Sequence, residues 1–306
     1  MLATKRKAAG LSLIVVVGLI AFKVVVAVIT GSLSIVAQAV DSFLDLFAIG
    51  ITLLAVHISE KPADEEHPFG HGKAENIAAI VQALLIFMAG GSIIYTAVRR
   101  IQTGSVLELT EAGIGVMLVS IVASIFLSRY LLRVGRLTDS LALQANAHNI
   151  AADVYSAAAV MVGLLVVRFT GLSIIDAVLA LLVALFILKV AYDVLKNSFG
   201  GLVDTRLPDD EEAVIRAALS EHLGKEVVDF HALRTRKAGR QRYVDLHLVV
   251  PRDTSLEEAH STCDHLEQDI ERRLGNASVV IHVEPCDGNC EECSLRCNRR
   301  RPQATP

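Results

Sequence analysis

The residues most able to do chemistry in this chain are three aspartates set in apolar surroundings. The stretch Ala39-Val40-Asp41-Ser42-Phe43-Leu44-Asp45-Leu46 places two carboxylates four residues apart, which is one helical turn and one helix face. A second apolar stretch carries His148, Asn149 and Asp153, and Asn149 and Asp153 are again four apart and face one way. If the two faces meet, three carboxylates and one amide oxygen surround a single point, near the ligand count of a four- to six-coordinate divalent metal. A charge at the centre of a bilayer costs about 2.5–3.5 kcal/mol even on a lenient scale, so two together call for a partner, and a bound cation is the obvious one. The plainer reading is a pair of ordinary hydrogen-bonded aspartates between helices. Lys23, Asp176 and Asp193 are read as structural, the lysine paired or snorkelling and the two acids within reach of water.

Histidines form the next group. Lys61 to Glu75 reads KPADEEHPFGHGKAE, a polar loop with His67 and His71 four apart and Asp64 three before the first. Two imidazoles with a carboxylate are a common Zn²⁺ set, and Gly70 and Gly72 allow the backbone to turn tightly. Further on, strand alternation puts His247 with Tyr243 and Asp245, opposite Val244, Leu246 and Leu248, and puts His282 with Glu284, opposite Ile281 and Val283. With His231 in a neighbouring strand and His260 off the apolar stripe of a helix, four histidines and a carboxylate lie on polar faces as a candidate metal cluster. His222 and His265 fit no motif position. The tail carries Cys286, Cys290, Cys293 and Cys297, four thiols that in a reducing compartment point to a soft metal as readily as to an inert or redox-sensitive end.

These residues need a membrane protein to hold them. The chain has 306 residues, 53% of them hydrophobic, and its mean hydropathy is +0.50. The apolar residues crowd the first two thirds of the chain. A span needs roughly 20 apolar residues, and six segments qualify, at about 11–30, 33–58, 76–98, 111–133, 143–168 and 173–198. Lys5, Arg6, Lys7, Lys61, Lys73, Arg133, Arg136 and Lys196 flank one face, which makes it cytoplasmic and puts both termini there. The first apolar run is too long for a signal peptide and ends in no small-x-small cleavage pattern. Past Gly200-Gly201 the composition turns polar. Residues 1–203 then form a six-helix transmembrane domain, 204–285 a cytoplasmic α+β domain of order α-β-β-α-β that carries the candidate histidine cluster, and 286–306 a basic, cysteine-rich tail. Ser255 and Glu258 form a capping box for a helix that buries Leu256, Ala259, Cys263, Leu266, Ile270 and Leu274.

With these motifs in place, the chain resembles the cation diffusion facilitator family, and especially its bacterial zinc and ferrous-iron efflux branch. The resemblance rests on the D-x-x-x-D of Asp41 and Asp45, the H-P-F-G-H-G-K-A-E stretch from His67 to Glu75, the Asp153-Val154-Tyr155-Ser156 segment and the cytoplasmic domain. It implies a ferredoxin-like cytoplasmic fold and a homodimer in the inner membrane that exchanges cytoplasmic Zn²⁺, Fe²⁺ or Mn²⁺ for protons. The membrane site would be Asp41, Asp45, Asn149 and Asp153; a loop site would use Asp64, His67 and His71. His231, His247, His260, His282 and Glu284 would hold cytoplasmic zinc. Zinc transporters of the family usually carry histidine where this chain has Asn149, so its oxygen-only set suits harder ions such as Mn²⁺ and Fe²⁺. The competing readings are a membrane metal sensor that moves nothing and, less well supported, a channel. No paired nucleophile and base and no phosphate-binding loop point to an enzyme, and nothing points to nucleic acid.

Overall fold

The computed structural model describes residues 4–30, 33–103, 111–170 and 174–287; the side chains of Asp41 and Asp176 and the whole of Cys290, Cys293 and Cys297 lie outside the described residues. The chain divides into two compact units, one ending at Leu202 and the other beginning at Val203.

The first unit is six helices: α1 (Lys5–Thr30), α2 (Leu33–Ser59), α3 (Ala74–Thr103), α4 (Glu111–Leu137), α5 (Leu141–Thr170) and α6 (Ile174–Leu202). Among the described residues, four stretches, Lys5–Ile29, Ala74–Thr103, Ile114–Leu137 and Ala177–Leu202, are long and apolar enough to cross a membrane by length and composition. Helices α2 and α5 carry the candidate aspartates. Helices α1, α2, α4 and α5 share a core around Ile49, Leu131 and Leu143. Helices α3 and α6 pack on each other and on α5 through Ile86, Ala152, Ile187 and Ala191. Helices in lipid gain little from burying apolar surface against each other, so close backbone approach matters. Gly90 provides it: a Cβ there would lie 2.8 Å from Leu188 Cδ2.

Several helices begin earlier than the apolar pattern predicts, because their polar ends find partners inside the protein. Lys5, read as a flanking charge, lies in α1 and is buried; Glu75, read as loop, lies in the first turn of α3 and is 2% exposed. Lys5 Nζ donates to Glu75 Oε1 at 2.6 Å, Ser59 Oγ donates to the same oxygen at 2.8 Å, and Ser140 Oγ donates to Oε2 at 2.5 Å. One carboxylate thereby ties α1, the end of α2, the start of α3 and the turn before α5 to a common level. Nearby, Gln82 Nε2 on α3 donates to Ala48 O at 2.7 Å and Thr52 Oγ1 at 2.8 Å on α2.

The second unit is α7 (Asp209–Ser220), β1 (Asp229–Ala238), β2 (Gln241–Val250), α8 (Leu256–Leu274) and β3 (Ala277–Pro285), the α-β-β-α-β order expected. The sheet runs β1-β2-β3, antiparallel between β1 and β2 and parallel between β2 and β3. Its inner face, with Val244, Leu246, Leu248 and Val279, closes a core with Ile215 and Leu219 of α7 and Cys263, Leu266 and Ile270 of α8. The Ser255–Glu258 capping box is formed. Burial pushes the Cys263 thiol up to about 11.

The Arg242 guanidinium grips Glu211 with two hydrogen bonds, Nε at 2.6 Å and Nη2 at 2.7 Å, and holds that carboxyl below its ordinary value of 4.5. A depressed carboxylate stabilises the fold above its unfolded pKa and stops doing so as pH falls through the folded one. Glu211→Gln is therefore expected to lower stability of this unit by about 1–2 kcal/mol at pH 7, with the deficit shrinking as pH drops below 4.5. With the four tail cysteines replaced by serine, dithiodipyridine labelling of Cys263 in a urea series measures it.

Candidate metal centres

The loop between α2 and α3 folds back on itself around Asp64. Asp64 N–H donates to His67 O at 3.3 Å, and His67 N–H donates to Asp64 Oδ1 at 2.7 Å, closing a reciprocal turn. Gly70, at φ 77°, continues the turn, a conformation that suits glycine. The result brings His67 Nδ1 to 3.1 Å from Asp64 Oδ1 and His71 Nε2 to 3.5 Å from Asp64 Oδ2, with the two rings 4.3 Å apart. One ligand atom from each of the three lies within 4.8 Å of the others. The His67 peptide N–H is the main cause holding the Asp64 carboxyl below its ordinary value, so this ligand is ionised throughout the neutral range. His71 Nδ1 is buried and has no hydrogen-bond partner among the described residues.

The second cluster is a row of imidazoles across the outer face of the sheet. His231 on β1 is registered against His247 on β2, and His247 against His282 on β3. Their rings stand 5.1 Å and 4.9 Å apart along the row. Glu284, two residues beyond His282 and therefore on the same face, is hydrogen-bonded to His247 Nδ1 at 2.9 Å and lies 3.3 Å from His231 Nε2 and 3.8 Å from His282 Nε2. His231, His247 and Glu284 bring one ligand atom each within 4.8 Å of one another. His260 is not brought in. It is exposed on α8, 3.7 Å from Asp264 one turn along, because the helix packs on the opposite face of the sheet. His222 and His265, left aside in the sequence, meet ring to ring at 5.5 Å between α7 and α8.

In the helical unit, α2 and α5 pack against each other. The Glu75 node gives both a common reference, since Ser59 ends α2 and Ser140 precedes α5. At 1.5 Å per residue, Asp45 and Asp153 both lie roughly 20 Å from that level, well inside a hydrocarbon layer of about 30 Å. Asn149 is 8% exposed and Asp153 is exposed on its helix. Helix α5 is regular from Leu141 to Thr170, so no irregularity turns half-buried His148 onto the Asn149–Asp153 face. What the sequence reading missed is the polar support towards the helix ends that meet at Glu75: Glu75 itself, Gln82 and Asn146. Asn146 is 0% exposed; its signal was there, three residues before Asn149 and seven before Asp153, on one stripe.

Loss of the central ring should open the sheet cluster most. His247→Ala is expected to weaken Zn²⁺ binding to the sheet unit at least about 100-fold, while His222→Ala leaves it within threefold. Titration calorimetry on the full chain checks both.

Residues 10–203 match the family model described as the cation efflux transmembrane domain, and residues 207–286 match that of the cation efflux protein, cytoplasmic domain. The chain is 34% identical over 256 residues to the cation-efflux pump FieF of Pectobacterium atrosepticum, covering 84% of each protein. It is 35% identical over 257 residues to the cation-efflux pump FieF of Yersinia pestis, covering 84% of this chain and 85% of that one. Among solved structures, the metal-bound C-terminal domain of the CzcD transporter from Thermotoga maritima is 26% identical, with a TM-score of 0.24, over 25% of this chain and 87% of that one.

Proposed function

The chain belongs to the cation efflux family, and from that premise we propose that Asp41, Asp45, Asn149 and Asp153 hold the divalent cation this membrane transporter exports. It is a divalent metal cation efflux transporter and not an enzyme. The observation that carries the site is the common depth of Asp45 and Asp153 on two helices that pack together. A cation between them neutralises carboxylates that hydrocarbon would otherwise penalise.

Protons are the natural counter-substrate for such a site. The ionised carboxylates take the metal from the cytoplasm; opening to the other side lets protons compete for the same oxygens and release it. Either cargo neutralises the site, so the helices exchange conformations loaded, and the empty charged state is disfavoured. Both termini are cytoplasmic in this reading, the membrane is the bacterial inner membrane, and the working unit is a homodimer. The donor sets outside the membrane differ in chemistry. Asp64, His67 and His71, and likewise His231, His247 and Glu284, combine imidazole nitrogen with carboxylate oxygen, which fits Zn²⁺. Bound to the sheet cluster, Zn²⁺ supplies a tie between its strands. The tail thiols Cys286, Cys290, Cys293 and Cys297 suit the same softer ions.

The metal carried inside the membrane is the harder one, Mn²⁺ or Fe²⁺, because Asn149 offers an amide oxygen where an imidazole would favour Zn²⁺. In proteoliposomes, flux is expected to rise when the side the metal leaves for is made acidic, and flux indifferent to a pH gradient rules out the exchange step. Asp45→Asn and Asp153→Asn are expected to abolish transport to below about 1% of wild type. Asn149→His is expected to shift the Zn²⁺ to Mn²⁺ preference about tenfold towards Zn²⁺, or 1.4 kcal/mol; an unchanged order of metals removes Asn149 as the selector.

A further inference from the structure

Between the Glu75 node and the aspartate level, two side-chain amides are fully buried with oxygens that have no partner among the described residues. Gln82 spends its Nε2 on Ala48 and Thr52, and its Oε1 has no partner among the described residues. Asn146 has no partner there for either Oδ1 or Nδ2. A buried amide left unmet destabilises a fold, and an apolar residue of similar size does not. Two such positions at one depth on helices that pack together point to a site held for a ligand.

Their depths coincide. Gln82 lies seven residues beyond Glu75 on α3, Asn146 six beyond Ser140 on α5, and Thr52 seven before Ser59 on α2. With Glu75, Ser140 and Ser59 hydrogen-bonded together, all three sit roughly 9–10 Å from the node, and α3 packs on both α2 and α5. Their faces coincide with the transport stripes too. Asn146, Asn149 and Asp153 fall within about 60° of arc on α5, as do Asp45, Ala48 and Thr52 on α2. The two stripes that carry the carboxylates therefore continue towards the cytoplasmic ends as amide and hydroxyl oxygens.

We propose that the Gln82 and Asn146 amide oxygens form an inner divalent-cation subsite, one step on the cytoplasmic side of the aspartates, which takes the incoming metal as it sheds water. This rests on the transporter reading above. Neutral oxygens bind a cation more weakly than carboxylates, so the ion is handed on rather than trapped. They also carry no proton, so the subsite fills regardless of pH.

The test is Mn²⁺ flux by the purified full chain in proteoliposomes, as initial rate against concentration at two pH values, with thermal melting of the same preparations. Asn146→Leu is expected to melt no lower than wild type while kcat/KM for Mn²⁺ falls at least tenfold, by the same factor at both pH values. Asn146→Asp, which restores an oxygen, is expected to stay within about threefold of wild type at the higher pH and to acquire a pH dependence. If Asn146→Leu carries Mn²⁺ with kcat/KM within twofold of wild type, the subsite is overturned. Should the leucine variant fold poorly, Asn146→Ala decides by the same criteria. Wild-type protein that moves none of Mn²⁺, Fe²⁺ or Zn²⁺ overturns the transporter reading itself, an outcome distinct from failure of the subsite.

Discussion

A single buried carboxylate organises the helical unit. Glu75 accepts hydrogen bonds from Lys5, Ser59 and Ser140, and these residues belong to α1, α2 and the turn that launches α5. Removing one partner of a buried ion pair leaves an uncompensated charge, at a cost of about 3–5 kcal/mol. The helices are thus registered against each other at one end, and the depth of every functional side chain follows by counting residues from that end. Nearly equal counts from Ser59 back along α2 and from Ser140 along α5 are what bring Asp45 and Asp153 to about one level.

From that level the chemistry is graded. The loop and the sheet, in water, combine imidazole with carboxylate; the set proposed within the helices is oxygen alone. The grading follows from solvation as much as from metal preference. A histidine in an aqueous loop is fully hydrated when no metal is bound, whereas each polar group in hydrocarbon must be justified by a partner. The proposed ligands accordingly are few and lie on one stripe each of two helices that pack together.

The helices and the α-β-β-α-β unit were legible because apolar runs of span length and period-two strands depend on local pattern. The ligands spaced within one segment, Asp64, His67 and His71, were legible for the same reason. The Glu75 node was not, since Lys5 and Glu75 stand 70 residues apart and each has an ordinary local role, one as a flanking charge and one as part of a loop motif. His260 shows the converse, since within one chain it lies apart from the row. Its exposure on α8 was readable from the stripe, yet which face of the sheet the helix covers is a tertiary fact, and the helix covers the face away from the imidazole row.

That row has a consequence for folding. Each strand supplies one ring at one registered position, from His231 through His247 to His282. The bulge between His231 and Arg234, with Ala232 at φ 50°, is what carries the first ring onto the same face as the others. A slip of one residue in β3 would turn His282 and Glu284 into the core and Ile281 and Val283 out of it. A metal held by this row therefore binds one strand alignment and not its neighbours, so that occupancy proofreads the sheet as it forms.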